Sequence, residues 1–240
     1  MTTLTYDLLA IDAGNTTVVF GYFKNHQLIK KFRVETTNFA LPQIEPVNKI
    51  LISSVVPPID HILAKLSPQP IFITSQNIPD IKVNILNPSE AGADRIVNAY
   101  GAYKLYNSDC IIIDFGTATT VCLVRKEGIY EGGAIIAGIK TSLKALNQFT
   151  AKIPLFEHFS RPSNYLGKST EESVLMGQYW GHVGALKNFI ALYKQNAPQA
   201  KVIATGGYAK MFAQDIKEID IVDEDLTLKS LELLGRALAN

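Results

Sequence analysis

Two stretches of this chain, about a hundred residues apart, are written on one plan, and a repeated plan points to two related halves. The first runs Leu8-Leu9-Ala10-Ile11-Asp12-Ala13-Gly14-Asn15-Thr16-Thr17-Val18-Val19-Phe20-Gly21, and the second runs Cys110-Ile111-Ile112-Ile113-Asp114-Phe115-Gly116-Thr117-Ala118-Thr119-Thr120-Val121-Cys122-Leu123-Val124. Each is a short apolar run of buried-strand length, then Asp-x-Gly with small hydroxyl or amide residues, then a second apolar run. Each therefore predicts a β-hairpin with a polar turn.

A turn of this kind suits phosphate. Glycine lets the backbone approach a ligand closely, so that main-chain N–H groups and threonine hydroxyls converge on an anion. An aspartate at the strand end would repel that anion unless a cation lay between them, which implies Mg²⁺ held largely through water and phosphate oxygens. One such turn is common in proteins. The matched pair suggests two half-domains facing each other across a cleft that holds a nucleotide.

The 240 residues are enough for two domains, each with its own core. A hydrophobic content of 47% with 19% charged residues is that of a soluble globular chain, and no apolar run approaches the roughly 20 residues of a membrane span. The start, Met1-Thr2-Thr3-Leu4-Thr5-Tyr6-Asp7, lacks the regions of a signal peptide, so a cytoplasmic protein is expected. A net charge of +1 with scattered basic residues gives no case for nucleic acid, and small ligands are the expected partners. Cys110 and Cys122 fall inside apolar runs and read as buried, reduced thiols. The four histidines show no metal-ligand spacing.

Along the chain, Gln27 to Val34 reads as a third strand, Lys49 to Val56 as a buried strand stopped by Pro57-Pro58, and Ile71 to Thr74 as a short one. A loop from Asn87 feeds a helix from about Ala93 to Tyr106. The polar stretch Tyr106 to Asp109 sets the expected boundary between domains 1–107 and 108–240. The second half repeats the order, with a hairpin, a strand near Tyr130 to Ile136, and helices. Ser169-Thr170-Glu171-Glu172 is a capping box opening a helix to about Gln195. On that helix Gly177, Gly181 and Gly184 share one face, open either to internal packing or to a second subunit. Lys201 to Thr205 is a strand entering the Gly206-Gly207 turn, a helix follows near Tyr208 to Ile216, and a last helix spans about Leu226 to Ala239.

Strands followed by helices, twice over, indicate an α/β fold of two similar halves. With the paired turns this resembles the superfamily of actin, the sugar kinases and the heat-shock ATPases, whose halves are ribonuclease H-like domains. In that superfamily a glycine pair after a strand of the second domain supports adenosine, and Gly206-Gly207 lies where that element belongs.

Within the superfamily the chain resembles the type III pantothenate kinases along nearly its whole length. The carrying strings are Asp12-Ala13-Gly14-Asn15-Thr16, Ser53-Ser54-Val55-Val56-Pro57, Gly92-Ala93-Asp94-Arg95 and Asp114-Phe115-Gly116-Thr117-Ala118-Thr119-Thr120. Gly132-Gly133-Ala134-Ile135, Gly167-Lys168-Ser169-Thr170 and Leu226-Thr227-Leu228 follow in the family's order. The resemblance implies transfer of the ATP γ-phosphoryl group to the primary hydroxyl of pantothenate, the first step of coenzyme A synthesis. It makes Asp94 the general base. It assigns Asp12, Ala13, Gly14, Asn15, Thr16, Thr17, Val18, Val19 and Thr117 to ATP, with Asp12 near Mg²⁺ and Asp114 on a monovalent cation, K⁺ or NH₄⁺. Gly92, Ala93, Asp94, Arg95 and Thr170 would contact pantothenate, Thr170 in the partner's site of a homodimer. From the local sequence alone, Asp94 reads equally well as an acidic residue stabilising its helix N-terminus.

Two positions depart from the family pattern. Ile85 stands where a tyrosine contacts pantothenate, keeping apolar contact without the hydroxyl. Ala137 stands where the family has a proline, which touches loop stiffness. Two other readings are a non-catalytic regulatory homologue, since the family includes accessory factors of transcription, and a different small-molecule kinase or phosphatase of the superfamily. Intact Asp12, Asp94 and Asp114 argue against the first, and Gly92-Ala93-Asp94-Arg95 against the second.

Overall fold

Both repeated segments form antiparallel hairpins, as their patterns predict. In the computed structural model, which describes residues 5–238, β1 (Leu8–Ala13) pairs with β2 (Thr17–Lys24) and sets Asp12 opposite Val19. Likewise β7 (Cys110–Phe115) pairs with β8 (Ala118–Val124) and sets Asp114 opposite Thr120. Met1 to Leu4, at the start read as lacking a signal peptide, and Ala239, at the expected end of the last helix, lie outside the described residues.

The chain forms two compact units. One comprises Met1–Asn107, Arg125–Gly132 and Asp225–Asn240, the other Ser108–Val124 and Gly133–Glu224. This grouping differs from the expected split at 107/108 in two segments, and the C-terminal one has a clear cause. Helix α6 (Leu226–Ala237) buries Leu226, Leu228, Leu231 and Leu234, and packs on β1 and on α2 (Ala93–Tyr106) of the first unit. The approach is close: a Cβ on Gly101 of α2 would fall 1.8 Å from Ser230 Oγ. Thr227 Oγ1 also donates to Asn98 Oδ1 at 2.8 Å.

In the first unit the sheet order is β3-β2-β1-β4-β5, with β3 (Gln27–Glu35), β4 (Ile50–Ser54) and β5 (Ile71–Phe72). β2 and β3 are antiparallel, while β4 runs parallel to β1 and β5 to β4. Side chains alternate across a strand. Leu9, Ile11 and Ala13 join Ile50, Ile52 and the Ile59 and Leu63 of α1 (Pro57–Leu63) in one core. Leu8, Ala10 and Asp12 take the other face, where Leu8 lies over Gly235 of α6. β4 stops at Ser54, two residues short of the expected Val56, and Pro57 and Pro58 open α1, because proline suits the first helical turn, where its missing N–H has no intrahelical partner.

The second unit repeats that order as β11-β10-β7-β8-β9, with β9 (Ile129–Ala137), β10 (Lys201–Gly206) and β11 (Ile221–Val222). β10 runs parallel to both β7 and β11. Each unit is thus a hairpin with a third, antiparallel strand on one side, a parallel strand on the other and a short fifth strand, the ribonuclease H-like arrangement. The residues opening β9 belong to the first unit, where β6 (Lys82–Val83) pairs with them in parallel. The second core gathers Ile111, Ile113, Val121 and Val202 with residues of α3 (Ile139–Phe149), α4 (Thr170–Asn196) and α5 (Ala209–Phe212). Helix α5 is shorter than expected.

Two local features complete the scaffold. The segment before α4 is tied down by Arg161, whose Nε and Nη2 donate to Asp215 at 2.6 and 2.9 Å, while Tyr179 Oη donates to the same carboxylate at 2.6 Å. Arg161, followed by Tyr179, holds the Asp215 carboxyl down at about 2. Neither cysteine is in a disulfide and both are buried, and burial pushes the Cys110 thiol up to about 12, as expected of an inert core residue. Among the described residues no helix is long and apolar enough to cross a membrane.

Candidate active site

In the first unit the Asp12 turn is fastened by its own backbone. Gly14 N donates to Thr17 O at 3.0 Å, Thr36 N to Thr16 O at 2.9 Å and Thr36 Oγ1 to Gly14 O at 2.7 Å. This leaves Asn15 and Thr16 exposed at the tip, Thr17 and Val19 half-buried, and Ala13 and Val18 in the core. Any contact from those last two to a ligand is therefore through main chain.

Asp12 is paired in register with Ser53 of the parallel strand β4, so both side chains share the face of the sheet that carries Leu8 and Ala10. Ser53 is fully buried and its Oγ has no hydrogen-bond partner. Such a group costs about 1–3 kcal/mol until water or a ligand satisfies it. Among the described residues no three His, Cys, Asp or Glu side chains cluster for a metal. Mg²⁺ held mainly by water and phosphate oxygens needs only one or two carboxylates from the protein, and Asp12 offers one. Sequence reasoning placed Ser53 in a matching string but gave it no part; its burial beside Asp12 became visible only through the strand register.

The Gly92-Ala93-Asp94-Arg95 string opens α2 in the same unit. Gly92 is the N-cap, no side chain caps it, and Asp94 lies in the first turn. Asp94 Oδ1 accepts from Arg95 N at 2.8 Å. Glycine at 92 is needed for this, since a Cβ there would stand 2.7 Å from Asp94 Oδ1. Arg95 Nη2 donates to Glu90 O at 3.1 Å and Nη1 to Tyr130 Oη at 3.3 Å. Val55 Cγ1, past the end of β4, lies 3.7 Å from that Cβ position on Gly92, which brings the Ser53 to Val55 strand end to the motif. Ile85 is half-buried, with Cγ2 3.0 Å from where a Cβ on Gly132 would be.

The second unit holds the other expected residues. Gly116 N donates to Ala118 O at 3.1 Å, and the carbonyl of Thr117 accepts from Gly138 N at 3.0 Å and from Thr141 Oγ1 at 2.6 Å. Asp114 meets the glycine pair directly. Gly206 has φ +87°, and a Cβ on it would lie 2.6 Å from Asp114 Oδ1 and 2.7 Å from the N and O of Phe115. Gly207 N donates to Phe115 O at 3.2 Å. The Asp114 carboxylate and the Phe115 carbonyl that crowd this turn are hard oxygen donors, the donor type a monovalent cation takes. Ala137 O lies 3.1 Å from His182 Nε2, so a side-chain contact restrains the position where the family has proline.

Thr170 is not among this group. It is exposed at the start of α4, in a depression lined by Gly167, Lys168, Ser169, Ser173 and Val174. The capping box there is modified: Ser169 Oγ accepts from Glu172 N at 3.1 Å, but Glu172 Oε2 accepts from Lys168 N at 2.8 Å, one residue before the cap. On α4, Gly177, Gly181 and Gly184 face open space among the described residues, so the internal-packing reading of that glycine face does not apply.

The pattern of the type III pantothenate kinase family matches residues 8–192. The type III pantothenate kinase of Listeria monocytogenes is 37% identical over 251 aligned positions, covering 95% of this chain and 96% of that protein. Among solved structures, a conserved Campylobacter jejuni protein described as a Baf family transcriptional activator superposes with a TM-score of 0.64 at 21% identity, over 97% of this chain and 99% of that one. A Sinorhizobium meliloti protein described as a 2-dehydro-3-deoxygalactonokinase gives 0.59 at 11% identity, over 96% of this chain and 99% of that one. These two bear on the fold, which they share with the chain along nearly its full length. The sequence matches bear on descent, and by them the chain belongs to the type III pantothenate kinase family.

Proposed function

We infer that this chain transfers the γ-phosphoryl group of ATP to the primary hydroxyl of pantothenate, giving 4'-phosphopantothenate, the first step of coenzyme A biosynthesis. The observation that carries the reading is Asp94, in the first turn of α2 within an intact Gly92-Ala93-Asp94-Arg95 string, in a chain of this family. Phosphoryl transfer asks the protein mainly for positioning and charge neutralisation, and little covalent chemistry. Asp94 Oδ1 is occupied by Arg95 N, and Oδ2 takes the proton of the attacking hydroxyl as the new P–O bond forms. The N-terminus of α2 and the Arg95 guanidinium favour an anionic substrate beside it. Pantothenate, with a carboxylate at one end and a hydroxyl at the other, matches that pairing, and Ile85 supplies apolar contact.

The residues that engage ATP are the Asp12 to Val19 segment, Thr117 and the Gly206-Gly207 turn. Asp12 would hold Mg²⁺ largely through water, and Asp114 would take K⁺ or NH₄⁺. When bound, these cations neutralise phosphate charge that this chain meets with no P-loop lysine. Pantothenate-dependent ADP release should therefore require Mg²⁺ together with K⁺ or NH₄⁺. A sodium-only buffer should abolish it; full turnover there would remove the monovalent cation from the mechanism.

The enzyme acts as a homodimer in the cytoplasm, with Thr170 serving the partner's pantothenate site. The open glycine face of α4, the helix that Thr170 begins, supports this, because it admits another backbone closely. Sedimentation at micromolar concentration should give twice the chain mass, and an active monomer would refute the dimer.

A further inference from the structure

We propose that Tyr130 is a positioning residue for pantothenate, acting through Arg95; the inference rests on the pantothenate kinase reading above. Tyr130 is fully buried at the start of β9, and a buried phenol requires a partner for its hydroxyl. Arg95 Nη1 donates to that hydroxyl at 3.3 Å while Nη2 donates to Glu90 O at 3.1 Å. Two contacts on the two terminal nitrogens fix the plane of a side chain that otherwise carries about 2 kcal/mol of rotamer entropy. A guanidinium has five N–H donors. These two bonds leave Nε–H and one hydrogen on each terminal nitrogen, a fork suited to carboxylate or carbonyl oxygens.

The main chain at Tyr130 is held apart from the hydroxyl. Tyr130 O accepts from Asn84 N at 2.8 Å, and the next residue, Glu131, accepts from Asn84 Nδ2 at 2.7 Å and from Arg125 Nε at 3.2 Å. The backbone of this segment is thus pinned independently, and what the phenol adds is the setting of Arg95. Asn84, which makes these bonds, is followed by Ile85, which offers a ligand only carbon. Polar recognition on this side therefore falls to Arg95, and its alignment governs substrate affinity more than rate.

Tyr130→Phe keeps the ring and removes the hydroxyl. KM for pantothenate should rise on the order of tenfold, the scale of a weakened charge-assisted hydrogen bond, while kcat and KM for ATP stay within about twofold. Calorimetric titration with pantothenate in the presence of a non-hydrolysable ATP analogue should show the same loss. In an Arg95→Ala background, Tyr130→Phe should have no further effect, because a residue acting through another is silent once that one is gone. An unchanged pantothenate KM, equal losses for both substrates, or additivity in the Arg95→Ala background would each overturn the proposal. Were Tyr130→Phe not to fold, side-chain ¹⁵N NMR of the wild type decides: slowed rotation of the Arg95 guanidinium supports the proposal, and free rotation overturns it. A wild-type protein with no pantothenate-dependent turnover would instead defeat the underlying reading, and the proposal with it.

Discussion

Asp94→Asn should fold normally, bind ATP normally and lose turnover by roughly 10² to 10⁴, the usual contribution of a positioned acid or base. The substitution separates two roles for one side chain. If Asp94 merely satisfies the start of α2, asparagine serves as well, since its Oδ1 can accept from Arg95 N as the carboxylate does. If Asp94 takes a proton from the hydroxyl, the amide has no such capacity at any pH at which the enzyme works. Stability should barely move, because α2 is anchored by Ile96, Val97, Ala99, Tyr100 and Ala102, all buried. Turnover and melting temperature measured on this one variant distinguish the roles, and a wild-type rate in a folded protein would take Asp94 out of the chemistry.

A large effect on stability is expected at Gly206. Its φ of +87° is strained for any residue with a Cβ, and that Cβ would stand 2.6 Å from Asp114 Oδ1 and 2.7 Å from two main-chain atoms of Phe115. Left-handed backbone costs an L-residue about 1–2 kcal/mol and overpacking about 1–3 more. Gly206→Ala should then lose roughly 2–5 kcal/mol, a large part of a typical folding free energy. For a chain of this size the melting temperature should drop by about 5–20 °C. What protein remains folded should have Asp114 displaced and a weakened response to K⁺. Gly207→Ala is the control, because a Cβ there meets nothing within 4 Å. Equal melting temperatures for the two variants would mean that β10 does not approach Asp114 this closely.

Much of this architecture was legible in the sequence because it repeats. The two Asp-x-Gly hairpins, the helix from Ala93 to Tyr106 and the strand into Gly206-Gly207 all carry local signals, either alternating or continuous apolar runs ending in turn residues. Helix α1 was not legible, since Pro57-Pro58 reads as a strand stop yet opens a helix. Nor was the docking of α6: the leucines from Leu226 to Leu234 announce a helix with a buried side but not which unit receives it. That choice is made by Gly101 and Gly235, where the absence of a side chain lets α6 approach. β6 has only two residues, too few for a period.

At the candidate site the strings identified which residues to watch, and register and packing identified their neighbours. The pairing of Asp12 with Ser53 follows from a parallel ladder between segments some forty residues apart, and the contact of Arg95 with Tyr130 spans thirty-five. Neither pairing leaves a mark in local sequence. The glycine face of α4 shows the converse: its spacing was plain, yet only the structure shows that nothing among the described residues packs on it.

The most direct test is to incubate the purified protein with ATP, Mg²⁺, K⁺ and pantothenate and to follow the phosphorus spectrum. ADP and 4'-phosphopantothenate should appear in equal amounts, and neither should form when pantothenate is left out. ADP without phosphopantothenate, or no reaction at all in a folded protein, would contradict the assignment of pantothenate as the phosphoryl acceptor.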